Sequence, residues 1–208
     1  MFRPLAAVLC ASMLVATGTK IAETPHGAPE LSYTADGQMK FPEKYREWVY
    51  LTSGLGMSYA PGAVPEHPAF DNVFVNPTAY KAFLATGTWP DSTVLVLELR
   101  GSETKASIDQ RGMSQSPEVR AIEVHVRDEK LPGKWGFFEF GDREPSVKMT
   151  ARPADCYTCH EAHAAVDTSF VQFYPTLIGL AKEKKTLSAA YMKEMPGAVA
   201  PGAPKVKY

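Results

Sequence analysis

The sequence predicts an α+β fold, mainly an antiparallel β-sheet with a few flanking helices, in which a cysteine- and histidine-bearing helix comes late in the chain. Three observations carry this expectation. Segments 92–100 (STVLVLELR), 119–127 (VRAIEVHVR) and 135–140 (WGFFEF) are rich in β-branched and aromatic residues and partly alternate. The short turn EKLPGK between the last two lets neighbouring strands pair directly and antiparallel. Helical spacing of apolar residues is found before and after these strands.

Taken in order, FPEKYREWVYLTSG has Pro42 near a helix start and Tyr45, Trp48 and Val49 at helical spacing, which predicts a first helix. NPTAYKAFLATG predicts a second, with Asn76 as N-cap, Pro77 at the first helical position, an apolar face of Tyr80, Phe83 and Leu84, and Gly87 as the stop. After the three strands, the segment that opens at ADCYTCHEAH predicts a helix through about Phe170. A final helix runs through LIGLAKEKKTLSAAYM.

The ends of the chain read differently from its body. Arg3 and the apolar run from Leu5 to about Ala16 describe an export signal over residues 1–20, because the run is shorter than the ~20 residues that span a bilayer. An uncleaved membrane anchor is the alternative; Cys10, preceded by the bulky Leu9, makes a poor lipoprotein site. Residues 21–40 read as a linker, 41–188 as one domain, and 189–208 as a flexible Pro/Ala/Gly tail. Export places the protein in the periplasm. An apolar content of 45% with 11% aromatics is enough for a packed core. A formal net charge of −1 with interspersed signs argues against a nucleic-acid partner, and KEKK at 182–185 reads as a solvated helix face.

Of the three cysteines, removal of the signal takes Cys10 and leaves Cys156 and Cys159. A lone pair in an exported protein is ordinarily a disulfide or a redox dithiol. His160 changes that reading by completing Cys-Tyr-Thr-Cys-His, the signature of covalent haem attachment. The two thiols, one turn apart, can add to the two vinyl groups on one porphyrin edge, and the next residue can bring its imidazole under the iron. The expected cofactor is one haem c per chain, with Cys156 and Cys159 as covalent links and His160 as axial iron ligand. Zinc held by Cys156, Cys159, His160 and His163 is the sharpest alternative, although structural zinc sites generally separate their ligand pairs by a longer loop. His163 reads as a surface or haem-edge residue.

The late position of the haem motif, after a strand-rich body, sets the chain apart from small helical electron carriers. FPEKYREWVYLTSGLGMSY, NPTAYKAFLATGTWPDSTVLVLELR and CYTCHEAHAAVDTSFVQFYPTL together resemble the cytochrome P460 family over about residues 41–180. The specific parts are Tyr45-Arg46-Glu47-Trp48-Val49, Thr86-Gly87-x-Trp89-Pro90-Asp91, and the haem motif followed by Phe173-Tyr174-Pro175. The resemblance implies a homodimeric, mainly antiparallel protein with a five-coordinate c-type haem, which oxidises hydroxylamine and passes electrons to a partner cytochrome, or binds nitric oxide without turnover. It also implies a lysine bonded to the porphyrin edge and a carboxylate near the substrate. In STVLVLELR, where that lysine is sought, Leu95, Leu97 and Leu99 share one face, and Lys81 and Lys105 read as solvent-exposed. Glu98, Glu123 and Glu139 are the candidate distal bases, with Asp155 the one carboxylate in the segment SVKMTARPAD. Met39, Met57, Met113 and Met149 could supply the sixth ligand that an electron carrier needs. Oxidation of hydroxylamine is the leading function, although the missing lysine favours tight nitric-oxide binding with slow or absent turnover. A non-catalytic nitric-oxide binder or electron carrier is the alternative.

Overall fold

The computed structural model describes residues 30–197, except residues 60, 64, 106 and 142. In chain order the elements are β1 (Met39–Lys40), β2 (Val49–Leu55), β3 (Phe70–Val75), α1 (Pro77–Thr86), β4 (Thr93–Glu103), β5 (Ser114–Arg127), β6 (Trp135–Phe140), β7 (Ser146–Val147), α2 (Asp155–His163), α3 (Ile178–Lys184) and α4 (Ala189–Glu194). Strands β2 to β6 form one antiparallel sheet in the order β2-β3-β4-β5-β6, and β1 pairs with β7. The fold is therefore α+β with a mainly antiparallel sheet. Among the described residues no helix is long and apolar enough to cross a membrane.

Strand β4 explains why the sheet is covered on both sides. Its two phases are both apolar, so either face left bare would put hydrophobic area in water. Val94 and Val96, with Ile122, Val124, Val126, Phe138 and Phe140, face a core closed by the N-terminal segment through Met39 and Tyr45. Phe41 meets Phe140 edge-on at 5.2 Å, and Tyr45 meets Phe74 at 5.6 Å. Leu95, with Val75 and Trp135, faces a second core closed by Phe83, Trp89 and the C-terminal helices.

Several sequence expectations are corrected. The first expected helix is only a single 3-10 turn at Tyr45–Glu47, after which the chain enters β2. Val49-Tyr50-Leu51-Thr52 prefers a pleated surface, and pairing with β3 decides the matter. Strand β3 itself escaped the sequence reading because Asp71 and Asn72 interrupt its apolar run. Helix α1 begins and ends as expected, with Gly87 in the left-handed region at φ 78°. Leu84 is exposed, however, and Ala79 joins Phe83 on the buried face. Asn76 occupies the N-cap position without capping: its Oδ1 accepts from Val94 N at 2.9 Å, which ties the helix start to β4.

Helix α2 stops at His163, short of Phe170, because Gln172 offers better partners for the chain ends. Its Nε2 donates to His163 O and its Oε1 accepts from Ala165 N, each at 2.9 Å. Asp167 then turns the backbone at φ 52°. The expected final helix is two helices, α3 and α4. Lys185 in the left-handed region ends the first, and Ser188 caps the second by accepting from Tyr191 N at 3.0 Å. Residues 30–40, assigned to the linker, lie on the sheet with Met39 fully buried, and residues 189–194, assigned to the tail, form α4 with Tyr191 in the core. The expected signal at 1–20, the rest of the linker and the tail beyond 197 lie outside the described residues.

Candidate functional site

A cavity of about 500 Å³ opens between the sheet and α2. That volume falls within the ~300–1,000 Å³ range of sites that enclose a small molecule or cofactor. Its sheet wall is the phase of β4 carrying Leu95, Leu97 and Leu99, flanked by Val73 on β3 and by His125 and Phe137 on β5 and β6. The opposite wall is α2 and the segment after it, with Phe170 and Tyr174. No lysine or arginine lines the cavity among the described residues. Lys81 and Lys105 are both exposed, outside the lining.

Cys156 and Cys159 lie one turn apart on α2, so both thiols face this cavity, and no disulfide joins them. His160 lines it as well. The orientation of its ring follows from one bond. Nδ1 lies 2.7 Å from Thr168 O, and a carbonyl only accepts, so Nδ1 carries the proton and Nε2 is left as a free lone pair. Burial pulls the His160 pKa below its ordinary value, against the opposing effect of the Thr168 bond, so the ring is neutral. Phe170 stacks on the imidazole at 4.0 Å, while Phe137 and His125 meet it edge-on at 4.7 and 5.0 Å. This is the arrangement in which a metal-binding histidine is held by a backbone carbonyl through its other nitrogen. His163 takes no part: its Nδ1 pairs with Glu194 at 3.0 Å on the outer side of α2, so the four zinc-ligand candidates do not converge.

The three candidate bases have three different fates. Glu98 points away from the cavity, on the Val94–Val96 phase of β4, and is 2% exposed. Tyr45 Oη donates to it, as do Arg46 at 2.5 and 2.9 Å and Arg100 at 2.8 Å. Burial alone would raise its pKa, but these hydrogen bonds outweigh it and hold the value at about 2. It is a structural hub, ionised at neutral pH. Glu123 lines the cavity at its mouth, where its surface is exposed to the open space but crowding by the surrounding groups, then Glu139 and Asp71, raise its pKa. Glu139 is the cross-strand neighbour of Glu123 but is exposed and outside the lining.

Sequence reasoning missed Asp71 and His125. Asp71 lines the cavity from β3, and burial raises its pKa. Its signal was the acidic residue inside a run of aromatic and β-branched neighbours, FDNVFV, a place where charge is costly. Asp155 also reaches the lining. Of the four methionines, Met57 alone lines the cavity, with its side chain packed on Gly54 so that an added Cβ there would have to displace it. Met39 and Met149 belong to the other core.

The distribution of polar groups suits a flat apolar cofactor held from one edge: free thiols and an acceptor nitrogen on α2, and a leucine wall opposite. The remote blocks of the sequence lock this wall together. Trp89 Nε1 donates to Ser169 Oγ at 2.6 Å and Trp89 N to Asp167 Oδ2 at 3.2 Å, which fixes the segment that carries the Thr168 carbonyl. No curated protein matched the chain. The family model for cytochrome P460 matches residues 42–171, which includes the five-stranded sheet with its leucine wall and all of α2. Cavity, donor set and family match agree on a haem cofactor, and the chain belongs to the cytochrome P460 family.

Proposed function

We propose that the protein is an exported, periplasmic, monohaem c-type cytochrome that acts in the redox chemistry of small nitrogen compounds, with hydroxylamine as substrate or nitric oxide as ligand. The observation that supports this most is the convergence of Cys156, Cys159 and a pre-oriented His160 on one apolar cavity. Each thiol would add across one porphyrin vinyl group, with sulfur bonding to one carbon and the thiol proton going to its neighbour, so attachment needs no oxidant. His160 Nε2 would bind the iron. Haem supplies a metal that exchanges electrons and takes up a small ligand at an open position.

The chain's own residues do the rest. Leu95, Leu97 and Leu99 exclude water from one side of the cavity. Asp71 and Glu123 hold protons more tightly than ordinary carboxylates, which suits groups that accept protons from a bound substrate. Hydroxylamine oxidised to nitric oxide releases three protons and three electrons; the carboxylates would take the protons, and a partner cytochrome the electrons. A homodimer is the expected assembly. The second reading, a nitric-oxide binder without turnover, is favoured by the leucines that occupy the wall where a lysine is expected.

Steady-state oxidation of hydroxylamine with an artificial electron acceptor separates the two. Glu123→Gln and Asp71→Asn are each expected to lower turnover by about 10²-fold or more while leaving nitric-oxide affinity of the reduced protein unchanged. Tight nitric-oxide binding with no turnover in the unaltered protein would make ligand binding the function instead.

A further inference from the structure

His125 is a cavity residue with no role in the chemistry above, and its placement is costly. It is 7% exposed on β5, an interior strand, stacked on Phe137 at 4.0 Å and 7° and packed against Trp135 at 4.4 Å. A polar ring is seldom buried among aromatic ones unless a nitrogen has a partner. Here Nε2 lies 3.3 Å from Thr168 Oγ1. Thr168 is the same residue whose carbonyl takes the Nδ1 proton of His160 at 2.7 Å. The two histidines therefore meet on one threonine, one through its hydroxyl and one through its carbonyl, while their rings touch edge-on at 5.0 Å. The residues on either side of Thr168 are anchored separately, Asp167 by Trp89 N and Ser169 by Trp89 Nε1. His125 supplies the anchor for Thr168 itself.

We propose that His125 is a positioning residue for the iron ligand: through Thr168 it holds in place the carbonyl that accepts the His160 Nδ1 proton, and so sets how strongly Nε2 donates to the metal. The proposal rests on the reading of His160 as that ligand. A well-placed carbonyl on Nδ1–H makes the imidazole a better donor, which strengthens the iron–nitrogen bond and favours the oxidised iron. Loosening the carbonyl does the reverse.

The test uses the haem-loaded protein and two readouts, the iron–histidine stretching frequency of the reduced form by resonance Raman and the midpoint potential. His125→Phe keeps the ring stack and loses the nitrogen; it is expected to lower the frequency and raise the potential. Thr168→Val, on a partly exposed loop, removes only the hydroxyl and is expected to shift both in the same direction. The double variant should move no further than the larger single change, since both remove one link. His125→Gln, which restores a polar nitrogen near Nε2, should return both readouts toward the parent values. Unchanged readouts in Thr168→Val, additive shifts in the double variant, or a glutamine variant shifted as far as phenylalanine would overturn the proposal. If His125→Phe fails to fold, Thr168→Val decides alone. A His160→Gly protein that keeps the iron–histidine band would instead refute the ligand reading, whatever His125 does.

Discussion

Replacing His160 by glycine is expected to remove the iron's protein nitrogen ligand while leaving haem attached to the chain. The iron–histidine vibration of the reduced protein should vanish, and the spin state and small-ligand affinity should change with it. Added imidazole should restore the band, because the space left by the ring keeps its walls. Phe170, Phe137 and His125 enclose it, and Thr168 O remains to accept an N–H from the guest. Burial keeps the native ring neutral, so Nε2 needs no deprotonation before it binds. An optical spectrum unaltered by the substitution, with no response to imidazole, would mean that another group holds the iron.

The second large effect is one of stability and lies on the other face of the sheet. Glu98 is surrounded by donors from Tyr45, Arg46 and Arg100, with Asn72 at 3.5 Å. Glu98→Ala would remove the buried anion on which Tyr45, Arg46 and Arg100 converge; leaving a fully buried charge unpaired costs about 3–5 kcal/mol, and the partial exposure of the two arginines puts the expected loss below that range. Arg46 is nearly half exposed and can relax into water; Arg100, with 18% of its side chain exposed, cannot do so as readily. The pH dependence has a definite sign. A carboxyl whose pKa falls from 4.5 to about 2 on folding stabilises the native state fully above pH 4.5. That contribution, about 3 kcal/mol at most for a shift of this size, is lost as pH falls from 4.5 toward 2. Denaturant titrations at pH 7 and pH 3 should show the difference between parent and variant shrinking in acid; a constant difference would show that Glu98 is not ionised through this network.

Why some of this was legible in the sequence and some was not can be seen in strand β5. Ile122, Val124 and Val126 announced a strand with one buried face, and a strand glutamate such as Glu123 between them is by default on the wet one. Glu123 and His125 instead face the cavity, which far-off residues of α2, the Phe170 segment and the Gly54–Tyr59 stretch close. Glu98 failed the same rule in the opposite sense. It is buried because Tyr45, Arg46 and Arg100 converge on it, and two of those three are more than fifty positions away. By contrast, Cys156, Cys159 and His160 act as a group within one helical turn and a half, so spacing alone carried them. The α1 boundaries were equally local, set by Pro77 and Gly87. Thr168 had no local signal, since its role depends on which histidines the fold brings to its two oxygens.

Intact-mass spectrometry under denaturing conditions tests the covalent c-type assignment most directly. The expected result is a mature polypeptide heavier by one haem, with the added mass retained after acid–acetone extraction and carried by the peptide that spans Cys156 to His160. A bare polypeptide mass, with all haem released into the solvent, would contradict covalent attachment through Cys156 and Cys159.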